Sequence, residues 1–195
     1  ALRKRINRQE VEFVDMHLSH LPQMVECGFF GHLDVAVVEA VDVTRDGRVY
    51  LSTSVGATPT FLRHANQVII ELNRRHAPRL PELHDIRLLP LPPHRTFIPI
   101  DRPTSRIGMP YAVVDPAKIA GIVETNEPDG VAEFAAPDEC SERIADHVVA
   151  FLLAEQRRGR IPSEFLPLQS GVGNVANAVM ARLGSHPDVP PFDMY

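Results

Sequence analysis

The chain has 195 residues, 44% hydrophobic and 23% charged, with a formal net charge of −5. That is enough chain for one ordinary core, the negative balance argues against a nucleic-acid partner, and no apolar run approaches the ~20 residues of a membrane span. Only Cys27 and Cys140 occur, which excludes a disulfide framework and a Cys-rich metal site and makes a reducing, cytoplasmic setting the default.

In chain order, residues 1–8 are basic but carry no apolar stretch, so they are no secretory signal. Residues 11–15 alternate like the end of a strand. Residues 17–30 read as a helix, with Leu18, Leu21, Val25 and Phe29 at helical spacing and Pro22 near its first turns. The run 33–38 is short and valine-rich, the pattern of a buried parallel strand. Residues 41–54 read as a hairpin turning at Asp46-Gly47. A short helix is expected over 58–65. Further buried strands are expected over 68–72 and 119–123, the second ending in polar Glu124-Thr-Asn126. Most of the 18 prolines fall within 78–137, yet apolar residues keep recurring there, which describes a rigid irregular connection rather than disorder.

The clearest helix is 138–158. Asp138 suits its N-cap and Glu139 its first turn. Ile144, Val148, Phe151 and Leu152 make an apolar stripe, and Gly159 and Pro162 stop the helix. A strand is expected over 164–168, then a second helix over 174–183 with Val175, Val179 and Leu183 on one face. Strands alternating with helices favour an open α/β domain with a mainly parallel sheet and flanking helices.

The most informative motif is Gly171-x-Gly173-x-x-Ala176, between the last expected strand and helix. Its spacing lets backbone N–H groups at a helix N-terminus meet an anion. A dinucleotide fingerprint would need an acidic residue ~20 positions beyond Ala176 to take a ribose, and only Asp188 and Asp193 follow, both in a proline-rich tail. A second reading is a purely structural turn. A third is an oxyanion cradle, in which glycine admits a ligand close to the backbone and the Val172 N–H meets developing negative charge.

Other candidates are weaker. His17 and His20 could share a helix face, but no third ligand is spaced to complete a site, and no metal is expected. The remaining histidines are scattered and read as structural or exposed. Ser54 and Ser170 lack a Gly-x-Ser-x-Gly context and a placed base. Glu124-Thr-Asn126 and Thr53-Ser-Val-Gly56 are candidate pocket edges, because ligands of open α/β sheets sit beyond the carboxyl ends of strands.

An ordered set of segments adds a resemblance. Phe13-Val-Asp-Met-His-Leu-Ser-His20, Leu33-Asp-Val-Ala-Val-Val-Glu39, Thr53-Ser-Val-Gly56, His84-Asp-Ile86, Arg106-Ile-Gly-x-Pro-Tyr111, Asp115-Pro-x-Lys-Ile119, Ile122-Val-Glu-Thr125 and Leu166-Pro-Leu-Gln-Ser-Gly-Val-Gly-Asn-Val-Ala-Asn-Ala-Val179 occur in this order. Together they make the chain resemble the acetyl-CoA hydrolase/CoA-transferase family, and most of all its succinyl-CoA:acetate CoA-transferase branch. The resemblance covers nearly the whole chain. It implies the fold of one domain of a family I CoA-transferase, with residues 1–195 forming part of an N-terminal domain and the second domain absent from this chain.

The resemblance also implies a mechanism. A glutamate attacks the acyl-CoA thioester, and turnover passes through a glutamyl-CoA thioester to a small carboxylate acceptor, or to water in a hydrolase. The Val172 N–H would be the oxyanion donor, and Gln169, Ser170, Gly171, Val172, Gly173 and Asn174 would line the coenzyme A site. Coenzyme A is then a substrate, with no permanently bound cofactor. The implied enzyme is a homodimer, cytoplasmic, or mitochondrial in a eukaryote. Tyr195 matches the tyrosine of the family's Tyr-Thr-Glu motif, so the nucleophilic glutamate would lie beyond Tyr195.

Two segments depart from the transferases. They carry an arginine after the aspartate matching Asp129, where this chain has Gly130, so the bidentate contact of a guanidinium is lost. Two asparagines often follow the match to Val55-Gly56, where this chain has Ala57-Thr58. Acetyl-CoA hydrolysis is the alternative activity, and a non-catalytic CoA-binding α/β module is the alternative class.

Overall fold

The computed structural model describes residues 2–102, 104–130, 136–165 and 168–192. The chain divides into two compact units, Ala1–Ile98 with Ile107–Pro128, and Pro99–Arg106 with Asp129–Tyr195.

The first unit is built on a five-stranded sheet. Its strands are β1 (Val35–Val43), β2 (Arg48–Leu51), β3 (Gln67–Asn73), β4 (Ala112–Val113) and β5 (Ile119–Thr125), in the order β4-β2-β1-β3-β5. β3 runs parallel to both β1 and β5. β2 runs antiparallel to β1 and β4. The sheet is therefore mixed, and its longer ladders are the parallel ones. The buried run expected over 33–38 and the first arm of the expected hairpin are one continuous strand. β1 pairs with β3 as far as Ala40 and with β2 from Ala40 onward. The register slips between Ala40 and Asp42, a bulge that re-aims one strand between two partners.

The hairpin closes where expected. The Gly47 N–H donates to Thr44 O at 3.1 Å and the Thr44 N–H to Arg48 O at 2.9 Å. Gly47 has φ +83°, which side-chain-bearing residues rarely adopt.

Strand alternation sorts the residues to two faces. Ala36, Val38, Ala40, Val68 and Ile70 form a core with Leu62 and Ala65. Leu62 belongs to α3 (Thr58–His64), close to the helix expected over 58–65. The opposite face is less covered, with Val35 49% and Val37 69% exposed. Burial of β1 on both faces, expected from its valine run, is thus not what the structure has. The apolar pattern cannot say whether a second layer covers the sheet.

Helix α1 (Leu2–Asn7) had no periodic signal. The helix expected over 17–30 is broken. A 3₁₀ turn, Leu18–His20, leads into α2 (Leu21–Glu26), and Gly28 at φ +74° follows its end. Pro22 stands in the first turn, where its missing N–H costs nothing. Residues 12–17 form no strand. Between β3 and β4 the described residues are irregular, apart from a 3₁₀ turn at Leu80–Leu83 and a bridge between Ile86 and Met109. That bridge consists of two backbone hydrogen bonds of 2.8 and 2.9 Å.

The second unit contains α4 (Glu139–Arg157) and α5 (Asn174–Ser185). Asp138 caps α4 as expected, its carboxylate accepting the Ser141 N–H at 2.7 Å. This bond to the charged form holds the Asp138 carboxyl below its ordinary value. Gly159 follows the helix at φ +67°, the left-handed end expected of it.

The buried stripe of α4 is Ser141, Ala145, Val149 and Leu153. Of the stripe expected from hydrophobicity, Leu152 packs against this helix's core, whereas Ile144 is 38% and Phe151 63% exposed. Val149 and Leu153 form a core with Phe165 and Leu183, and Arg182 of α5 pairs with Asp146 of α4 at 2.6 Å.

The strand expected over 164–168 is absent among its described residues. Glu164 lies in a turn, and Phe165 has φ +55°. Phe165 plugs the helical core at this bend, its ring edge-on to Phe192 at 5.8 Å. Residues 166–167 lie outside the described residues. No described helix is long and apolar enough to cross a membrane.

Candidate functional site

The glycine turn sits at the start of α5. Gly173 is the N-cap, with φ +145° and ψ 164°, and no side chain caps the helix there. Gly173 O accepts the Asn177 N–H at 2.9 Å, the first helical bond. The N–H groups of the first turn therefore have no partner within the helix. No acidic residue stands in that turn, so no side-chain charge there offsets the positive end of the helix dipole.

Residues 169–174 otherwise make local contacts. Gln169 Nε2 donates to Ser170 O at 2.8 Å, and Ser170 Oγ donates to Gly171 O at 3.3 Å. Val172 is 92% exposed. A Cβ added at Gly171 or Gly173 would meet no atom within 4 Å. The need for glycine at 173 is thus conformational, and the space over the turn is open. One turn into α5, Asn177 Nδ2 is buried with no hydrogen-bond partner among the described residues. Chemically, this arrangement offers peptide N–H donors and a positive potential to an anion.

A second polar constellation was not singled out from sequence. Glu39 lies where β1 and β3 end their parallel pairing. Its carboxylate accepts Ser52 Oγ at 2.5 Å and Asn73 Nδ2 at 2.6 Å, and His76 Nε2 lies 3.1 Å away. Asn73 also donates to Glu127 O at 2.8 Å and accepts the Arg75 N–H at 3.0 Å. These bonds tie β1, the end of β2, the end of β3 and the loop after β5 into one polar clasp.

Burial alone would raise the Glu39 carboxyl. The hydrogen bonds from Ser52, Asn73 and His76, together with His76 charge, outweigh burial and hold it below its ordinary value. One sequence signal was available: an acid flanked on both sides by apolar strand residues, which needs hydrogen-bonding partners if it is even partly buried.

The remaining candidates resolve into local roles. The rings of His17 and His20 stack edge-on at 5.5 Å and 73°. Glu124 pairs with Arg74 at 2.6 Å, and Thr125 Oγ1 donates to Glu71 at 2.8 Å, so both are held along the β3–β5 ladder. His84 Nε2 lies 3.0 Å from Leu51 O. The Asp85 carboxylate accepts the Ile107 and Gly108 N–H groups at 3.1 and 2.6 Å. The segment 84–86 therefore braces the irregular connection. Val55 and Gly56, expected at a pocket edge, line a cavity with His84 and Asp85.

This fold is similar to that of solved protein chains. A 4-hydroxybutyrate CoA-transferase from Porphyromonas gingivalis is similar with a TM-score of 0.55, over 92% of this chain and 35% of that one, at 23% identity. RipA from Yersinia pestis gives a TM-score of 0.56 over 96% and 35%, at 18% identity. At these identities the likeness speaks for the fold alone.

The sequence carries it further. The model of the acetyl-CoA hydrolase/transferase N-terminal domain matches residues 1–124, and the chain belongs to this family. It is 53% identical to a propanoyl-CoA:succinate CoA transferase of Escherichia coli over 100% of its own length and 40% of the relative's. It is 42% identical to an acetyl-CoA hydrolase of Schizosaccharomyces pombe over 94% and 36%. A succinyl-CoA:acetate CoA-transferase of Clostridium kluyveri is 40% identical over 93% and 34%. The chain thus spans between 34% and 40% of the length of these relatives.

Proposed function

We propose that this chain supplies the coenzyme A and oxyanion side of an enzyme that transfers CoA between an acyl-CoA, such as acetyl-CoA or succinyl-CoA, and a carboxylate such as acetate. The observation that carries this reading is the uncapped N-terminus of α5 behind Gly173, within the most specific of the family motifs. In the full-length enzyme a glutamate carboxylate attacks the thioester carbonyl carbon. The C–S bond breaks, CoA leaves as thiolate, and an acyl-glutamyl anhydride forms. The thiolate then attacks the glutamyl carbonyl, which releases the first carboxylate and leaves a glutamyl-CoA thioester. The acceptor carboxylate reverses both steps to yield the new acyl-CoA.

Each attack places negative charge on a carbonyl oxygen, and the Val172 N–H donates to that oxygen. Gln169, Ser170, Gly171, Gly173 and Asn174 line the approach of CoA, which is a substrate and not a resident cofactor. The glutamate has no counterpart among these residues in this reading. Residues 1–195 act as part of an N-terminal domain in a cytoplasmic homodimer, or a mitochondrial one in a eukaryote, that engages neither nucleic acid nor membrane.

Hydrolysis of acetyl-CoA, with water replacing the acceptor, is the second reading. The similarity to the S. pombe hydrolase supports it.

The test incubates full-length enzyme with acetyl-, propanoyl- or succinyl-CoA and acetate or succinate, and resolves the acyl-CoA products by mass spectrometry. Transfer yields the acyl-CoA of the acceptor, and hydrolysis yields free CoA alone. Turnover of neither kind overturns both readings, and retained CoA binding would then leave a non-catalytic module.

A further inference from the structure

We propose that a cavity of about 410 Å³ in the first unit binds an amphipathic monocarboxylate, an apolar chain of roughly eight carbons with one anionic end. None of its lining residues belongs to the 169–174 turn, so the inference does not rest on the CoA reading.

The wall is mixed, and its apolar part is formed among others by Pro22, Val55, Pro59, Ile86 and Leu91. Arg87 and Arg95 also line it. Arg95 is held in place, its Nε donating to Pro90 O at 3.1 Å and its Nη2 to Gln23 Oε1 at 3.0 Å. Arg87 Nη1 donates to Ile107 O at 3.3 Å. A guanidinium carries about five N–H donors, so both keep donors to spend. Neither has a carboxylate partner among the described residues.

The two carboxylates on the lining are already engaged. Glu26 lies 3.6 Å from Arg63 and 3.9 Å from His64. Asp85 accepts the Ile107 and Gly108 N–H groups. An incoming anion therefore meets two guanidiniums with no acidic partner, while Glu26 faces Arg63 and His64 and Asp85 is bonded to backbone N–H groups.

Size and chemistry select the ligand. A pocket of this kind orients its ligand with a few polar groups on an apolar wall. At roughly 30 Å³ per water-sized group, the space holds about a dozen non-hydrogen atoms. Octanoate fills it, acetate leaves most of it empty, and an intact acyl-CoA exceeds it. A guanidinium fork matches a carboxylate in two parallel hydrogen bonds.

Titration calorimetry on the full-length enzyme, with and without saturating CoA, tests the proposal using octanoate, octan-1-ol and acetate as probes. The expected result is saturable octanoate binding that CoA does not displace, with octanol and acetate at least about tenfold weaker. Losing a charge-assisted hydrogen bond typically weakens binding about 10- to 100-fold, and Arg95→Ala is expected to do so at an unchanged melting temperature and unchanged acyl-CoA turnover. Leu89→Asp, which puts a negative charge on the lining, gives a second check. The proposal is overturned if octanoate shows no saturable binding, if CoA displaces it, or if both variants bind it like the unaltered enzyme.

Discussion

Replacing Val172 by proline tests the oxyanion role at the level of one backbone atom. Proline removes the N–H that the turn is proposed to use, while also fixing φ at this position and restricting Gly171. The side chain is 92% exposed and precedes the Gly173 N-cap, so its loss forfeits almost no packing. Removing one preorganised oxyanion donor costs about 10²- to 10³-fold in kcat, or about 2.7–4 kcal/mol of transition-state stabilisation. Val172→Ala keeps the N–H, and as an exposed substitution it is expected to stay within about threefold of the unaltered enzyme.

The assay follows thioester consumption by full-length enzyme at saturating acyl-CoA and acceptor, with CoA affinity measured separately by calorimetry. Val172→Pro should lose kcat while CoA affinity and melting temperature hold. If its kcat lies within about threefold of Val172→Ala, the N–H at 172 stabilises no oxyanion and the site must be sought elsewhere.

Three further outcomes follow from the fold. Leu62→Ala empties a fully buried position and should lower unfolding free energy by about 2–5 kcal/mol in urea titrations. Gly47→Ala meets both a backbone at φ +83° and the Val114 carbonyl oxygen, so it should destabilise by more than about 1 kcal/mol. Glu39→Gln removes the charged acceptor of the strand-end clasp and should cost about 1.5–3 kcal/mol at pH 7. Because the Glu39 carboxyl is held below its ordinary 4.5, its contribution is present above that pH and lost as the pH falls through the folded-state value. The gap between Glu39→Gln and the unaltered protein should therefore narrow as the pH falls from about 4.5 through the lower folded-state value, and a gap that stayed constant down to acid unfolding would refute the ionised clasp.

The glycine turn was legible because its signal is local: two glycines, an uncapped helix start and the following apolar helix lie within a dozen residues. Helix α4 was legible at both ends for the same reason, since Asp138 and Gly159 act through backbone groups beside them. Its buried face was not. Hydrophobicity favoured Ile144 and Phe151, but α5 packs against a stripe that begins with Ser141 and Ala145. Small side chains let helices approach closely, which a hydrophobicity pattern does not register.

The segment 164–168 misled in the same way. An apolar run with leucine and phenylalanine suits a strand or a core plug equally, and the packing around Phe165 decides between them. The Glu39 clasp joins residues 13, 34 and 37 positions apart, a separation no local motif spans.

From sequence alone came the α/β class, the hairpin at Asp46-Gly47, the helix over 138–158 and the glycine turn, because propensity, capping and turn chemistry act over a few residues. Only the tertiary structure decided that β1 serves two partners through a bulge and that one face of the sheet carries the core. It alone also brought Ser52, Asn73 and His76 to the Glu39 carboxylate, which holds that carboxyl below its ordinary value. Register, burial and buried charge are set by atoms far apart in the chain, and their energies exist only once those atoms meet.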